Sequence, residues 1–221
     1  MRHRYFITGT DTGAGKTTVA CGLVHLLSRE GRVAVMKPVA SGCEQRGGQW
    51  RNADAEALIA ASGANWNYET VNPHAFAPPI APHIAAAQAG MTISIPGIVT
   101  QARRLEEEAP HLVVEGAGGW RVPLNDDEDF ADLALALELP VILVVGLRLG
   151  CLNHALLTAD AIAARGLQLA GWAGSVVDST TLYIRENVET LRRRLPAPCL
   201  GIVPWLAETT PANVAKHLRL P

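Results

Sequence analysis

The string Gly9-Thr10-Asp11-Thr12-Gly13-Ala14-Gly15-Lys16-Thr17-Thr18 limits what this chain can fold into more than any other feature. A lysine between glycine and threonine, at the turn from an apolar strand into a helix, is a device for holding nucleotide phosphates. Backbone N–H groups curl around the anion, and the helix N-terminus adds its positive end. In such a loop the lysine, here Lys16, reaches the terminal phosphates and the following hydroxyl, here Thr17, ligates magnesium. The flanks have the required character. Tyr5-Phe6-Ile7-Thr8 is short and apolar, as a buried parallel strand should be. Val19, Leu23, Val24 and Leu27 share one helical face, and Gly31 is expected at the C′ position of that helix. One position departs from the G-x-x-x-x-G-K-[ST] spacing: its first glycine falls on Thr10, and Gly9 stands one place earlier. A glycine-rich turn that binds nothing is the competing interpretation, and the strand–loop–helix setting weighs against it.

Apolar runs alternate with helical patterns along the rest of the chain. Further strands are predicted over residues 33–37, 112–115, 141–145, 171–177 and 200–203, several of them unbroken Val/Ile/Leu runs of the kind covered on both faces. Helices are predicted over 54–62, 98–108, 130–137, 153–165 and 183–195. This alternation predicts an α/β fold: a doubly wound, mostly parallel sheet with helices on both faces, P-loop NTPase-like, as one domain over residues 1–221. Right-handed crossovers then put the strand C-terminal ends, and any ligand, on one edge. Residues 72–82 hold Pro73, Pro78, Pro79 and Pro82 and read as a stiff, extended loop.

Composition narrows the function classes. With 48% hydrophobic residues among 221, the chain can bury a sizeable core. A formal net charge of −2 supplies no basic field, so nucleic acid is not an expected partner. Arg192-Arg193-Arg194 complements the dipole at a helix end. Cys21, Cys43, Cys151 and Cys199 lie far apart, forming neither a zinc pattern nor a disulfide framework, so a reduced cytoplasmic setting is expected. The run from Leu133 to Leu149 is broken by Glu138, Pro140 and Arg148 and cannot span a membrane.

Three more groups fall at predicted strand ends. Lys37 closes an apolar strand and is followed by Pro38, which puts a cation on the edge that carries Lys16; a snorkelling surface lysine is the alternative. Leu112-Val113-Val114-Glu115-Gly116-Ala117-Gly118 is an apolar strand ending in a carboxylate, suited to hold magnesium, against a solvated Glu115 in an ordinary turn. Asp54, after Arg51-Asn52, is a second carboxylate; by itself it also reads as a simple helix cap. Gly150-Cys151-Leu152-Asn153 opens a helix whose free N–H groups suit a carboxylate, or is merely a connection. Cys151 has no paired base, and His83 and His154 receive no role.

These strings together resemble dethiobiotin synthetase, the family that closes the ureido ring in biotin synthesis. The likeness spans nearly the whole chain: residues 5–6, 8–12, 15–17 and 37–42, Arg51-Asn52 with Asp54, Val71-Asn72-Pro73, Pro82-His83-Ile84, and residues 114–120, 139–146, 149–151, 153–155, 169–172 and 204–208. The resemblance implies a homodimer that joins diaminopelargonic acid and carbon dioxide using ATP and Mg2+. It implies Lys37 and Lys16 as catalytic cations and Thr17, Asp54 and Glu115 as the metal set. Nucleotide contacts fall on Gly13, Ala14, Gly15, Lys16, Thr17, Thr18, Asp54, Glu115, Gly116, Ala117, Gly118, Ser175, Pro204, Trp205 and Leu206. Substrate contacts fall on Thr12, Lys37 and Ser41, and on Gly150, Cys151, Leu152 and Asn153 contributed by the partner subunit. Two departures stand out. Some relatives carry Glu at the place of Gly13, and an asparagine that reads the adenine edge is here Ser175, with fewer donors and acceptors. Other readings share the loop. A nucleotide switch of the ParA/MinD type would carry its signature lysine where this chain has Asp11. An amide-forming ligase would need a glutaminase domain for which 221 residues leave no room, and an inactive homologue is the third.

Overall fold

The computed structural model describes residues 2–221. In chain order the elements are β1 (Arg4–Gly9), α1 (Lys16–Leu27), β2 (Val33–Met36), β3 (Val39–Ser41), β4 (Glu44–Arg46), β5 (Gln49–Arg51), α2 (Ala53–Ser62), α3 (Tyr68–Val71), β6 (His74–Phe76), α4 (Pro82–Gln88) and α5 (Ile95–Glu108). They continue with β7 (His111–Glu115), α6 (Phe130–Leu137), β8 (Val141–Leu147), α7 (Cys151–Ala164), β9 (Leu169–Val176), α8 (Ile184–Arg194), β10 (Cys199–Val203) and α9 (Pro211–Ala215).

Six strands form one sheet in the order β10-β9-β8-β1-β7-β2, and every pairing is parallel. Each of the six matches a predicted strand to within two residues. The sheet is covered on both sides, and β8 shows how the sequence achieves this. All seven of its residues are buried. Ile142 and Val144 join the main core, while Leu143, Val145 and Leu147 point the other way, into a second cluster with Trp172, Val188 and Leu191. A period of two with apolar residues at every position is what a two-faced burial demands. By the right-handed crossover rule α1 lies on one face and α5 to α8 on the other; α1 packs against α2 and α9, α5 against α6, and α7 against α8.

Two expectations need correction. Gly31 is not the C′ residue of α1: that helix ends at Leu27, is capped by Ser28, and turns before Gly31. Gly31 instead sits against Pro110 and His111, where a β-carbon would come within 3.2 Å of the proline ring. Residues 72–82 are not all loop, because His74–Phe76 forms β6, paired in parallel with β3. Pro82 starts α4 at its first position, where a missing N–H costs nothing. The arginine triplet does end α8, in its last turn, and all four cysteines are free. No helix among the described residues is long and apolar enough to cross a membrane.

Candidate active site

The C-terminal ends of β1, β2 and β7 converge on a cavity of about 740 Å³. Its floor is the loop between β1 and α1. The lysine stem explains the shifted glycine there: a β-carbon at Gly9 would lie 2.9 Å from Lys16 Cγ, so position 9 must be bare for Lys16 to fold back over it. Thr10 serves a different purpose. Its N–H donates to the Val144 carbonyl (3.0 Å), and its hydroxyl oxygen accepts from the Gly146 N–H (3.4 Å), lacing the loop to β8. Gly15, at φ 86°, lies directly over Ser175, whose hydroxyl a β-carbon would strike.

Lys16 Nζ donates to two backbone carbonyls, Asp11 O at 3.0 Å and Gly118 O at 2.6 Å. No carboxylate touches it. Burial, and then the nearby Lys37 charge, bring its pKa down to about 8. Asp11 is held in turn: its carboxylate accepts from the Thr12 N–H (2.7 Å) and from the Arg148 guanidinium (2.7 Å).

Lys37 is no snorkelling lysine, being only 3% exposed. It follows the last residue of β2, its N–H bonds to the Val71 carbonyl, and Pro38 stiffens the exit. Its ammonium donates to Glu115 Oε1 at 2.6 Å and to Gly116 O at 3.0 Å, and lies 3.1 Å from Asp54 Oδ2. Burial pulls the Lys37 pKa down, yet Glu115 and Asp54 outweigh it, and the net direction is up. Glu115 is not solvated either, being 0% exposed at the end of β7. Its Oε1 also accepts from the Thr17 hydroxyl at 2.9 Å, while Oε2 is buried with no partner. Asp54 is not the cap of α2. Asn52 takes that place, its side chain accepting from the N–H groups of Asp54 and Ala55, which frees the half-exposed Asp54 carboxylate to face Lys37.

Thr12, Gly13, Gly15, Lys16, Thr17, Thr18, Lys37, Ser41, Asp54, Glu115, Ala117 and Gly118 line the cavity. Ser41 Oγ is buried there without a partner. Several other expected residues stand away from the wall. Ala14 is buried against Gly146, Gly116 offers only its carbonyl to Lys37, and Ser175 lies beneath Gly15. Pro204, Trp205 and Leu206 follow β10, with Trp205 58% exposed. Gly150 caps α7, whose first turn holds Cys151, Leu152 and Asn153. None of these seven lines the cavity. Sequence reasoning missed Ala40, Asn52, Pro79, Ile80, Ala81, Pro82 and Val122 as wall residues. The proline run marked the 79–82 wall as rigid, but nothing in its spacing marked it as a wall.

A phosphate loop between a central parallel strand and its helix, with buried lysines and carboxylates on one sheet edge, defines a P-loop NTPase-like protein. Among solved structures the chain is similar to a ParA family ATPase from Chlorobium tepidum TLS (TM-score 0.59, 13% identity, covering 98% of this chain and 92% of that one). It is also similar to a chain of the MinC:MinD cell division protein complex of Aquifex aeolicus (TM-score 0.57, 12% identity, 96% and 86% covered). At that identity the likeness is one of fold alone. A family described as an AAA domain matches residues 3–213. Sequence relatives are much nearer. ATP-dependent dethiobiotin synthetase BioD of Pseudomonas aeruginosa (strain UCBPP-PA14) is 56% identical over 218 residues, 98% of this chain and 96% of its own length. Those of Chromohalobacter salexigens (55%; 98% and 98%) and Aromatoleum aromaticum (53%; 98% and 97%) are comparably similar. The chain belongs to the ATP-dependent dethiobiotin synthetase family.

Proposed function

We propose that this chain, acting as one domain over residues 1–221, is a dethiobiotin synthetase. It joins 7,8-diaminopelargonic acid and carbon dioxide at the expense of ATP, giving dethiobiotin, ADP and phosphate. The observation that carries this is the wall shared by Lys16 and Lys37, two buried cations beside a phosphate loop, one of them paired with Glu115 and Asp54. A reaction that must bring a carbamate against a triphosphate needs such an arrangement.

The proposed chemistry has three steps. A neutral amine of the diamine adds to carbon dioxide and loses a proton, leaving a carbamate. A carbamate oxygen attacks the γ-phosphorus as ADP departs, forming a carbamic–phosphoric anhydride. The second amine attacks the carbonyl carbon, expels phosphate and closes the ring. Lys16 at the terminal phosphates and Lys37 between the two anions offset their repulsion; each fixed cation in a dry site is worth roughly 10²–10³ in rate. Thr12 and Ser41 line the wall along which the diamine is proposed to lie, and the bare position at 118, in the same wall, lets backbone approach it. Holding both amines still supplies the rest, and the anhydride must be kept from water until the ring closes.

The donor set fits magnesium. The partnerless, buried Glu115 Oε2, the Thr17 hydroxyl and the half-exposed Asp54 carboxylate are hard oxygen ligands on one side of the cavity. Thr17, Asp54 and Glu115 would hold the ion, which when bound neutralises phosphate charge. That residues 150–153 lie outside this wall is consistent with a homodimer, in which that turn takes the distal carboxylate of the diamine bound to the partner subunit, and the four free cysteines support a cytoplasmic setting. Ser175 and residues 204–206 are proposed to face the nucleotide base.

One assay tests the proposal. The purified chain is mixed with ATP, magnesium, bicarbonate and the diamine, and phosphate release is followed with each component omitted in turn. Release is expected only with all four. Release that ignores the diamine and bicarbonate would overturn the assignment in favour of a nucleotide switch.

A further inference from the structure

Arg51-Asn52 and Val71-Asn72-Pro73 play no part in the chemistry above, yet the two strings meet at one atom. The Tyr68 hydroxyl accepts from the Asn52 N–H at 2.6 Å and donates to Asn72 Oδ1 at 2.9 Å. Each partner leads into the site. Asn72 Nδ2 donates to the Lys37 carbonyl at 2.6 Å. Asn52 Oδ1 caps α2 by accepting from the Asp54 N–H at 3.1 Å. Asn52, Tyr68 and Asn72 are all buried, and the Arg51 guanidinium lies 4.1 Å above the tyrosine ring.

We infer that Tyr68 is a positioning residue, whose hydroxyl sets the spacing between Lys37 and Asp54. The neighbouring architecture makes such a link necessary. Lys37 leaves the sheet at its edge, since β2 pairs only with β7, and the next residue is a proline with no N–H to anchor it. Its backbone is held instead by the end of α3, through the Val71 carbonyl and Asn72. Asp54 arrives by another route, after the β4–β5 hairpin, five of whose six strand residues are exposed. A hairpin in solvent cannot fix the start of α2 to a fraction of an ångström. A buried hydroxyl using both its donor and an acceptor site can, because neither bond can be traded for water.

Tyr68's role presupposes those proposed for Lys37 and Asp54, so the experiment includes a variant of each kind. Tyr68→Phe keeps the ring, its burial and the Arg51 contact, and removes only the hydroxyl. Its kcat is expected to fall ~10-fold, with KM for ATP within about 2-fold of wild type because the phosphate loop lies outside the network. The magnesium concentration that half-saturates tightening of the ADP complex, read by calorimetry, is expected to rise several-fold. Asn72→Ala cuts only the Lys37 arm, so kcat falls while the magnesium midpoint stays at the wild-type value. Lys37→Gln, run alongside, is expected to be inactive. If Lys37→Gln is inactive while Tyr68→Phe keeps the wild-type kcat and magnesium midpoint, the positioning role is overturned and the site assignment survives. A Tyr68→Phe loss fully accounted for by its unfolded fraction overturns it equally. Normal turnover by Lys37→Gln would sink the site assignment, and Tyr68's role with it.

Discussion

Lys16 and Lys37 stand in the wall of one cavity, both removed from water, and are held in opposite ways. Lys16 has only the carbonyl oxygens of Asp11 and Gly118. Lys37 has the carboxylate of Glu115 at 2.6 Å and that of Asp54 at 3.1 Å. Burial dominates at the first and brings its pKa to about 8; at the second, carboxylates overcome burial and the direction is upward. One cation therefore waits for an anion the protein does not supply, and the other is already neutralised by the fold. The first is built to bind, and the second to stay charged and in place through a reaction that changes the charges around it.

Deleting each charge is the strongest way to break this comparison, because the two substitutions should move stability in opposite directions. Lys37→Met leaves Glu115 buried without its counter-ion and is expected to destabilise the ligand-free protein by about 3–5 kcal/mol. Lys16→Met removes a buried cation with no carboxylate partner and is expected to leave stability unchanged or raise it by ~1 kcal/mol. Both variants should lose turnover. Chemical denaturation of the two ligand-free variants beside wild type reads the signs directly. Equal losses would mean that Lys16 is as fully compensated as Lys37, which its contacts contradict.

The pH dependence sharpens the same contrast at smaller amplitude. The folded protein lets go of the Lys16 proton near pH 8, whereas the unfolded chain keeps it to about 10.5. Between those values the unfolded state binds more protons, so the Lys16 contribution to stability rises with pH. Below pH 8 its destabilising effect is fully present. Nucleotide affinity must run the other way, since the triphosphate favours the charged lysine. Binding of ATP at pH 8.5–9 should take up a proton and weaken several-fold relative to pH 7, measurable by calorimetry in buffers of different ionisation enthalpy. Lys16→Arg, with a guanidinium that stays charged, should abolish that proton uptake.

The contrast also separates what could be read from the sequence from what could not. The loop, Lys37 and Glu115 were legible because each closes or follows a long apolar strand, and strand ends of a parallel sheet share an edge. Their environments were not: snorkelling for Lys37 and solvation for Glu115 both stood open until the fold brought residues 78 positions apart to 2.6 Å. The segment between β2 and α5 was the least legible. Its strands β3 and β6 have three residues each and α3 has four, too short for any periodicity to register. Asp54 was ambiguous for a local reason. Asn and Asp are both good caps, and only the structure shows that Asn52 takes the N–H groups and leaves Asp54 free. The stray Gly9 was visible as an anomaly, but its cause, the Lys16 stem lying across it, depends on a side-chain path that no motif encodes.

The smallest effect is expected where the Lys16 arrangement meets solvent. Arg148, just beyond β8, donates to Asp11 Oδ2 at 2.7 Å, and Asp11 is the residue whose carbonyl receives Lys16. With Val144 and Gly146 bonded to Thr10, this makes three alternate positions, two in β8 and one just past its end, that hold the front of the loop. Arg148 and Asp11 are 42% and 51% exposed, however, so water and salt screen the pair, and its worth is held to about 0.5 kcal/mol. Arg148→Ala should therefore raise KM for ATP only about 2- to 3-fold, with stability and KM for the diamine unchanged. Raising the ionic strength should bring wild type toward the variant, because the attraction between half-exposed charges fades as the Debye length shrinks. A tenfold or larger effect that persists in high salt would mean that Arg148 meets the nucleotide itself and does more than brace the loop through Asp11.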